Sequence, residues 1–176
     1  DHTGVPRYLL RISEDITDQK LRQEIEQLRL GQLATQQTVL HKLAEDPAIH
    51  SGHPQQAFPV MTEHAAVTFA VERASIWLFD ETQTSLILQD LFEATPKRHL
   101  RGAALSIGQY PAYLRALETE PYSLAAHAAQ TDPRTSELTA SYLAPLGIVA
   151  MLDAPIRRHG RVVGVLCLEH VGAPKT

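Results

Sequence analysis

The residues with chemical potential are few, and each has a structural reading beside the functional one. Cys167 is the only cysteine among 176 residues, which excludes an internal disulfide and any multi-cysteine zinc site. It stands in an apolar run with Val163 and Val165 at alternate positions, the setting of a small core residue. His50 and His53 are three apart and His64 follows. A metal needs three or four ligands held by supporting hydrogen bonds, whereas His50-Ser51-Gly52-His53 reads as a loop, so no metal is expected. Lys97, Arg98, His99 and Arg101 form one basic cluster, and Arg157, Arg158 and Arg161 a second. Phosphate contact is their functional reading; in a chain of net charge −4, solvated loops are the reading adopted. Gly160-Arg161-Val162-Val163-Gly164 is a turn leading into a strand, not a phosphate-cradling loop. Trp77 lies in an apolar run, where a core position is commoner than ligand stacking. His41 falls within a helical stretch and reads as an exposed helix residue.

Composition narrows the classes further. Sixteen Lys+Arg against twenty Asp+Glu leave no basic field for nucleic acid or an anionic membrane, and neither partner is expected. No apolar stretch approaches the ~18–20 residues of a membrane span, and none sits at the front as a signal sequence. A hydrophobic share of 44% is ordinary for a globular protein with a real core. A cytoplasmic protein of one domain plus a remainder is the expectation.

The charge is uneven. Residues 1–46 hold six basic and eight acidic side chains, nearly twice the density of the rest, as a solvated helix before a globular domain would. Val5 to Ser13 has strand-like composition after Gly4. From Ser13-Glu14-Asp15-Ile16-Thr17 onward, helix formers continue with few breakers to Asp46-Pro47, with Asp15 as N-cap and Asp18 favourable to the helix dipole. Leu21, Ile25 and Leu28 step by four and three, and the seam resumes one residue late as Leu33, Leu40 and Leu43, with Gly31 in the gap. This predicts a coiled-coil-like dimer helix with a phase slip, about 45 Å long at 1.5 Å per residue. The alternative is one amphipathic helix lying on its own domain.

Behind a loop over residues 46–54, Phe58, Met61, Ala65 and Phe69 recur at helical spacing and predict a helix ending near Arg73. Ser75 to Asp80 predicts a buried strand, residues 80–84 a turn, and Ser85 to Phe92 its antiparallel return. Pro111 opens a helix carrying Leu114 and Leu117, and Ser123 to His127 is a short strand. Asp132-Pro133 caps a helix bearing Leu138, Tyr142, Leu143 and Leu146, with Gly147 at its left-handed end. Ile148 to Ile156 and Arg161 to His170 form a closing hairpin around Gly160. The sum is an α+β domain on a central, mainly antiparallel sheet flanked by helices, with a long N-terminal helix.

Five blocks in order now resemble a bacterial GAF domain over residues 57–172. They are Glu72-Arg73-Ala74-Ser75-Ile76-Trp77-Leu78-Phe79-Asp80, Tyr110-Pro111-Ala112-Tyr113-Leu114, Asp132-Pro133-Arg134-Thr135, Tyr142-Leu143-Ala144-Pro145-Leu146-Gly147-Ile148, and Met151 to Ile156 followed by Gly164 to His170. Residues 1–20 resemble the tail of a PAS domain, whose Asp15-Ile16-Thr17 exit begins a signalling helix. The resemblance divides the chain into a PAS tail (1–20), a helical linker (21–46) and a GAF domain (47–176). It implies a non-enzymatic sensory and relay module of a bacterial, homodimeric signal-transduction protein, with Asp15, Ile16 and Thr17 as relay residues. A histidine kinase or a diguanylate cyclase/phosphodiesterase would be the output.

The resemblance also implies a ligand pocket between the sheet and the segment 93–135. Its candidates are Tyr110, Tyr113, His127, Asp132, Arg134 and Thr135. The structural readings are tyrosines bonded to backbone and Asp132 as a helix cap. The alternative to a sensor is a ligand-free dimerisation and spacer module. A methionine sulfoxide reductase type of GAF domain works through cysteines, and Cys167 alone does not supply them. Bilin-attaching members use a pocket cysteine often followed by His; Cys167 precedes Leu168 in the final strand, so no covalent bilin is expected. The cyclic-nucleotide signature of phosphodiesterase GAF domains is not found in this sequence.

Overall fold

The β-rich runs pair into one antiparallel sheet in the computed structural model, which describes residues 17–173. Its long strands are β1 (Arg73–Phe79), β2 (Ser85–Glu93), β6 (Ile148–Arg158) and β7 (Arg161–Val171), and its short ones β3 (Arg98–Leu100), β4 (Ala104–Ser106) and β5 (Leu124–Ala126). The order is β3-β2-β1-β7-β6-β5, with β4 also pairing to β2. The helices are α1 (Thr17–Glu45), α2 (Pro47–His50), α3 (Pro54–Phe69) and α4 (Pro111–Thr119). The expected α+β architecture and both hairpins are present.

Helix α3 covers one face of the sheet. Its small Ala66 meets Ala74, Phe92 and Leu168 in one apolar cluster; small residues at the contact let helix and sheet approach closely. The opposite face carries the main core, where α4 and the irregular segment 107–143 cover Trp77, Leu86, Leu88, Leu91, Met151, Val165 and Cys167. A bulge sets this up. The β1–β2 register slips between Ile76 and Trp77, so that Ile76 faces Asp90 and Trp77 faces Leu88. Gln89 is the extra residue, and the slip turns Leu88 and Leu91 to one face while Asp90 points to α3.

Several local expectations need correction. The 46–54 loop contains α2, because Asp46 Oδ1 accepts from the Ala48 amide at 2.8 Å and Pro47 opens the turn. Helix α3 begins at Pro54 and stops at Phe69, four residues before Arg73, because Ala70 turns left-handed at φ 49° and Arg73 starts β1. Residues 136–143 form a 3₁₀ turn followed by a π turn, not an α-helix capped by Asp132. The basic cluster is solvated, as expected, but it is not a loop. Arg98–Leu100 is a strand, Arg98 pairs with Glu93, and His99 and Arg101 both reach the fully buried Asp90. Asp90 also accepts from Thr62 of α3 at 2.6 Å, and Arg98 and Arg101 pair with the protein's own carboxylates.

Helix α1 ends at Glu45, where Asp46-Pro47 predicts it. Contacts divide the chain at Thr38/Val39. Leu21, Ile25 and Leu30 are more than half exposed, and Leu43 is half-buried. The expected strand over 5–13, the Asp15 cap and the relay residues Asp15 and Ile16 lie outside the described residues, as do the side chains of Leu28, Leu33 and Leu40; Thr17 is the first residue of α1. Among the described residues no helix is long and apolar enough to cross a membrane.

The β6–β7 turn puts His159 and Gly160 at φ 51° and 80°, the mirror-image turn that matches strand twist. Gly164 matters for a different reason. A Cβ there would lie 2.2 Å from the Trp77 carbonyl oxygen and 3.1 Å from Leu78 Cα, both backbone atoms of the neighbouring strand. Gly164→Ala therefore forces β7 away from β1 and should cost about 3 kcal/mol or more. Urea denaturation checks this; a loss below about 1 kcal/mol would show that the strands separate easily.

Candidate functional site

The core face of the sheet carries polar side chains in two adjacent cross-strand rows. One row runs Asp153, Cys167, Ser75 across β6, β7 and β1, and the next runs Met151, Glu169, Arg73, Glu93 across β6, β7, β1 and β2. Alternation along each strand dictates the grouping: Cys167 and Glu169 must share a face. Asp153, Glu169 and Ser75 are buried.

The second row is electrically paired. Arg73 Nε donates to Glu169 Oε2 at 2.9 Å, its Nη1 reaches Glu93, and Glu93 also holds Arg98 at 2.6 Å. From the covering segment, the Tyr142 hydroxyl donates to Glu169 Oε1 at 2.7 Å. Burial raises the Glu169 pKa, and the Arg73 charge opposes that rise. The first row lacks a cation. The Tyr113 hydroxyl of α4 donates to Asp153 Oδ2 at 2.5 Å. Among the described residues no nitrogen or oxygen donor reaches Asp153 Oδ1, and the Cys167 thiol is the carboxyl's other hydrogen-bond partner. Burial pushes the Asp153 carboxyl up to about 7; the Tyr113 hydrogen bond opposes this and the nearby Glu169 charge adds to it. Burial, with both carboxylates beside it, pushes the Cys167 thiol well up. A thiol held protonated is a poor nucleophile.

Between floor and cover lies a cavity of about 20 Å³, lined by Trp77, Tyr113, Tyr142, Met151, Cys167 and Glu169 together with Leu86, Leu105, Leu138 and Val165. That is room for one water. Trp77 donates its indole N–H to Ser75 Oγ at 2.9 Å and meets Tyr142 edge-on, ring centres 6.3 Å apart.

Of the six pocket candidates, the structure brings only Tyr113 to this cavity. Tyr110 is buried nearby, its hydroxyl sharing a hydrogen bond with Ser141 at 2.8 Å. Thr135 is buried and donates to the Ala129 carbonyl at 2.6 Å. Asp132 and Arg134 pair with each other at 2.8 Å, and Arg134 reaches Glu120 at 3.2 Å. The Arg134 hydrogen bond lowers the Asp132 pKa, and the Asx turn from Arg134 N to Asp132 Oδ1 replaces the expected helix cap. His127 is exposed. Sequence reasoning missed Asp153, Glu169, Tyr142 and Arg73, and it gave Trp77 and Cys167 core roles only. Charged residues at alternate positions in otherwise apolar strands were the available signal. Among the described residues no three His, Cys, Asp or Glu side chains are grouped to hold a metal.

This sheet, helix-backed on one face and covered by an irregular segment on the other, defines an α+β domain of the kind the sequence blocks resemble. The GAF domain family model matches residues 53–176, and the chain belongs to the GAF domain family. No curated protein matches the sequence. Among solved structures, the chain is similar to the GAF domain of an Acinetobacter phosphoenolpyruvate-protein phosphotransferase, with 16% identity, TM-score 0.56, and coverage of 79% of this chain and 76% of that one. It is similar to the phycocyanobilin-bound GAF domain of a cyanobacterial phytochrome, with 16% identity, TM-score 0.63, and coverage of 80% and 82%. The chromophore-binding domain of a Stigmatella aurantiaca bacteriophytochrome matches at 14% identity and TM-score 0.63, over 83% of this chain. The chain spans about half the length of that fragment (53%).

Because Asp153 is held neutral by burial, its contribution to stability is complete below its ordinary pKa near 3.8 and is lost as pH rises towards about 7. The slope there should be roughly 1 kcal/mol per pH unit. Asp153→Asn keeps the shape and removes the proton. Urea midpoints measured from pH 5 to 8 should fall for the wild type and flatten for the variant; parallel curves would assign the slope to other groups.

Proposed function

We propose that the domain is a non-catalytic sensory and relay module, in which a small ligand between the sheet and the 107–143 segment shifts the balance between two arrangements of a dimer. The observation that carries this reading is the cavity itself, lined by three aromatic rings and a buried carboxylate on the face covered by irregular turns. Catalysis by the sulfoxide-reducing route is disfavoured by the chemistry of Cys167, the only cysteine in the chain and a buried, protonated thiol. Helix α1 would carry the shift through its exposed Leu21 and Ile25, with Leu28, Leu33, Leu40 and Leu43 completing the seam. On this reading the parent protein is a bacterial, cytoplasmic signal-transduction protein with a kinase or cyclase output.

The second reading, a ligand-free dimerisation and spacer module, is favoured by the small size of the cavity, about 20 Å³. Trp77, the only tryptophan, separates the two. Thermal melting and Trp77 fluorescence should be followed against nucleotides, amino acids and other metabolites. A ligand at 100 times its Kd should raise stability by about 2.7 kcal/mol and alter the emission. No response across the panel supports the spacer.

Dimerisation is tested separately. Light scattering on the chain should report a dimer, and Leu21→Glu combined with Ile25→Glu should lower the mass towards a monomer without changing the melting of the α+β domain. Equal masses would remove the helical seam from the model of relay.

A further inference from the structure

The charges along the two rows do not balance. Three carboxyl groups, Asp153, Glu169 and Glu93, stand along the two rows, and Arg73 and Arg98 are the cations that reach them. Both arginines lie at the Glu169–Glu93 end. Asp153, although fully buried, has two neutral donors, the Tyr113 hydroxyl and the Cys167 thiol, and among the described residues no cation. A carboxylate buried without a cation is costly, and the cost is removed most directly by a donor that brings positive charge.

The walls suit the same chemistry. Trp77, Tyr113 and Tyr142 line the cavity, with Met151 and Cys167 supplying polarizable sulfur. Aromatic faces attract a cation and soft sulfur tolerates it, whereas an anion would meet Glu169 in the lining and Asp153 behind it. The tyrosines that hold the carboxyls both belong to the cover, Tyr113 on α4 and Tyr142 in the π turn. A ligand that supplies N–H donors can take over their hydrogen bonds as the cover lifts.

Resting on the reading of this cavity as a ligand site, we propose that its ligand is a small organic cation with N–H donors, an ammonium or amidinium compound, bound by Asp153 and Glu169 between Trp77, Tyr113 and Tyr142. Entry swings the two tyrosine hydroxyls off the carboxyls and enlarges a space with room for one water. Binding also expels the Asp153 proton. The titratable groups facing Asp153 are Tyr113 from α4 and Cys167 and Glu169 from β7; the tyrosine and the thiol are held protonated.

Benzamidinium, benzamide and benzoate have one shape and three charges, and they probe the site on the full chain. Benzamidinium should raise the melting midpoint and change Trp77 fluorescence, its affinity falling about tenfold for each pH unit below about 7. Benzamide and benzoate should do neither. Asp153→Asn should weaken benzamidinium at least tenfold and remove the pH dependence. Tyr113→Phe, which breaks the same hydrogen bond but leaves the carboxyl, should bind at least as well as the wild type; this separates a ligand contact from a structural role. Binding of benzoate or benzamide as tight as that of benzamidinium would overturn the cation class while leaving the cavity a ligand site. No response to any of the three would also overturn the class, and the metabolite panel would still decide independently whether the cavity binds anything. Undiminished binding by Asp153→Asn would overturn the assignment to this residue.

Discussion

Glu169 and Arg73 face each other on the two central strands, both buried, at 2.9 Å. Neither can be there without the other. A carboxylate in the middle of a sheet covered on both faces would be expelled or protonated, and a lone guanidinium would drag water into the core. Their pairing lets β1 and β7 lie side by side, and much else follows from it. Arg73 continues to Glu93 on β2, which fixes the adjacent strand, and Glu169 accepts the Tyr142 hydroxyl, which fixes the cover. Removing one partner of such a pair typically costs 3–5 kcal/mol, whereas the intact pair adds little net stability over an apolar substitute. Its value here is positional: one ion pair holds three strands and the covering segment.

The neighbouring row shows what the same fold looks like without that compensation. Asp153 sits two residue pairs further along the sheet, opposite Cys167, with the Tyr113 hydroxyl and the Cys167 thiol as its neutral hydrogen-bond partners. The contrast explains the perturbed carboxyl without special geometry. Burial is equal at the two sites; the counter-charge is not.

How far the sequence revealed this depends on the range of the forces involved. The hairpins at 73–93 and 148–171 were legible because strand composition, Asp80 turn chemistry and the His159-Gly160 turn are all local. The apolar spacing of α3 was legible for the same reason, although its end was not, since only the left-handed Ala70 marks it. Residues 136–143 read as helix because Leu138, Tyr142 and Leu143 have helical spacing, but the chain winds 3₁₀ and then π there. The polar floor was hidden more deeply. Arg73 and Glu169 are 96 residues apart, Tyr113 and Asp153 40 apart. Their meeting is set by strand order and register, and a bulge at Gln89 alters which β2 residues join them. Asp132, Arg134 and Thr135 drew attention as polar residues in a loop, and they serve that loop's own turns.

A comparison within the molecule shows how each face of the sheet is tied to its cover. Asp90 and Asp153 are the same residue type, both fully buried, on opposite faces of one sheet. Asp90 is bonded by Thr62 of α3, His99 of β3 and Arg101, and Arg101 reaches on to the Gln55 carbonyl of α3. Strand, edge and helix therefore meet at one carboxylate, α3 through the Thr62 hydroxyl and, at the Gln55 carbonyl, through Arg101. On the other face, Asp153 and Glu169 each hold the cover by a single tyrosine hydroxyl, and the cover combines helix α4 with short turns. Hydroxyl donors on carboxyl groups thus stand on both faces, Thr62 on one and the two tyrosines on the other, and the Asp90 site adds a charged donor, Arg101. The two faces are thus tied to the sheet differently, the α3 face through one shared carboxylate and the 107–143 face through two tyrosine hydroxyls beside the larger apolar core.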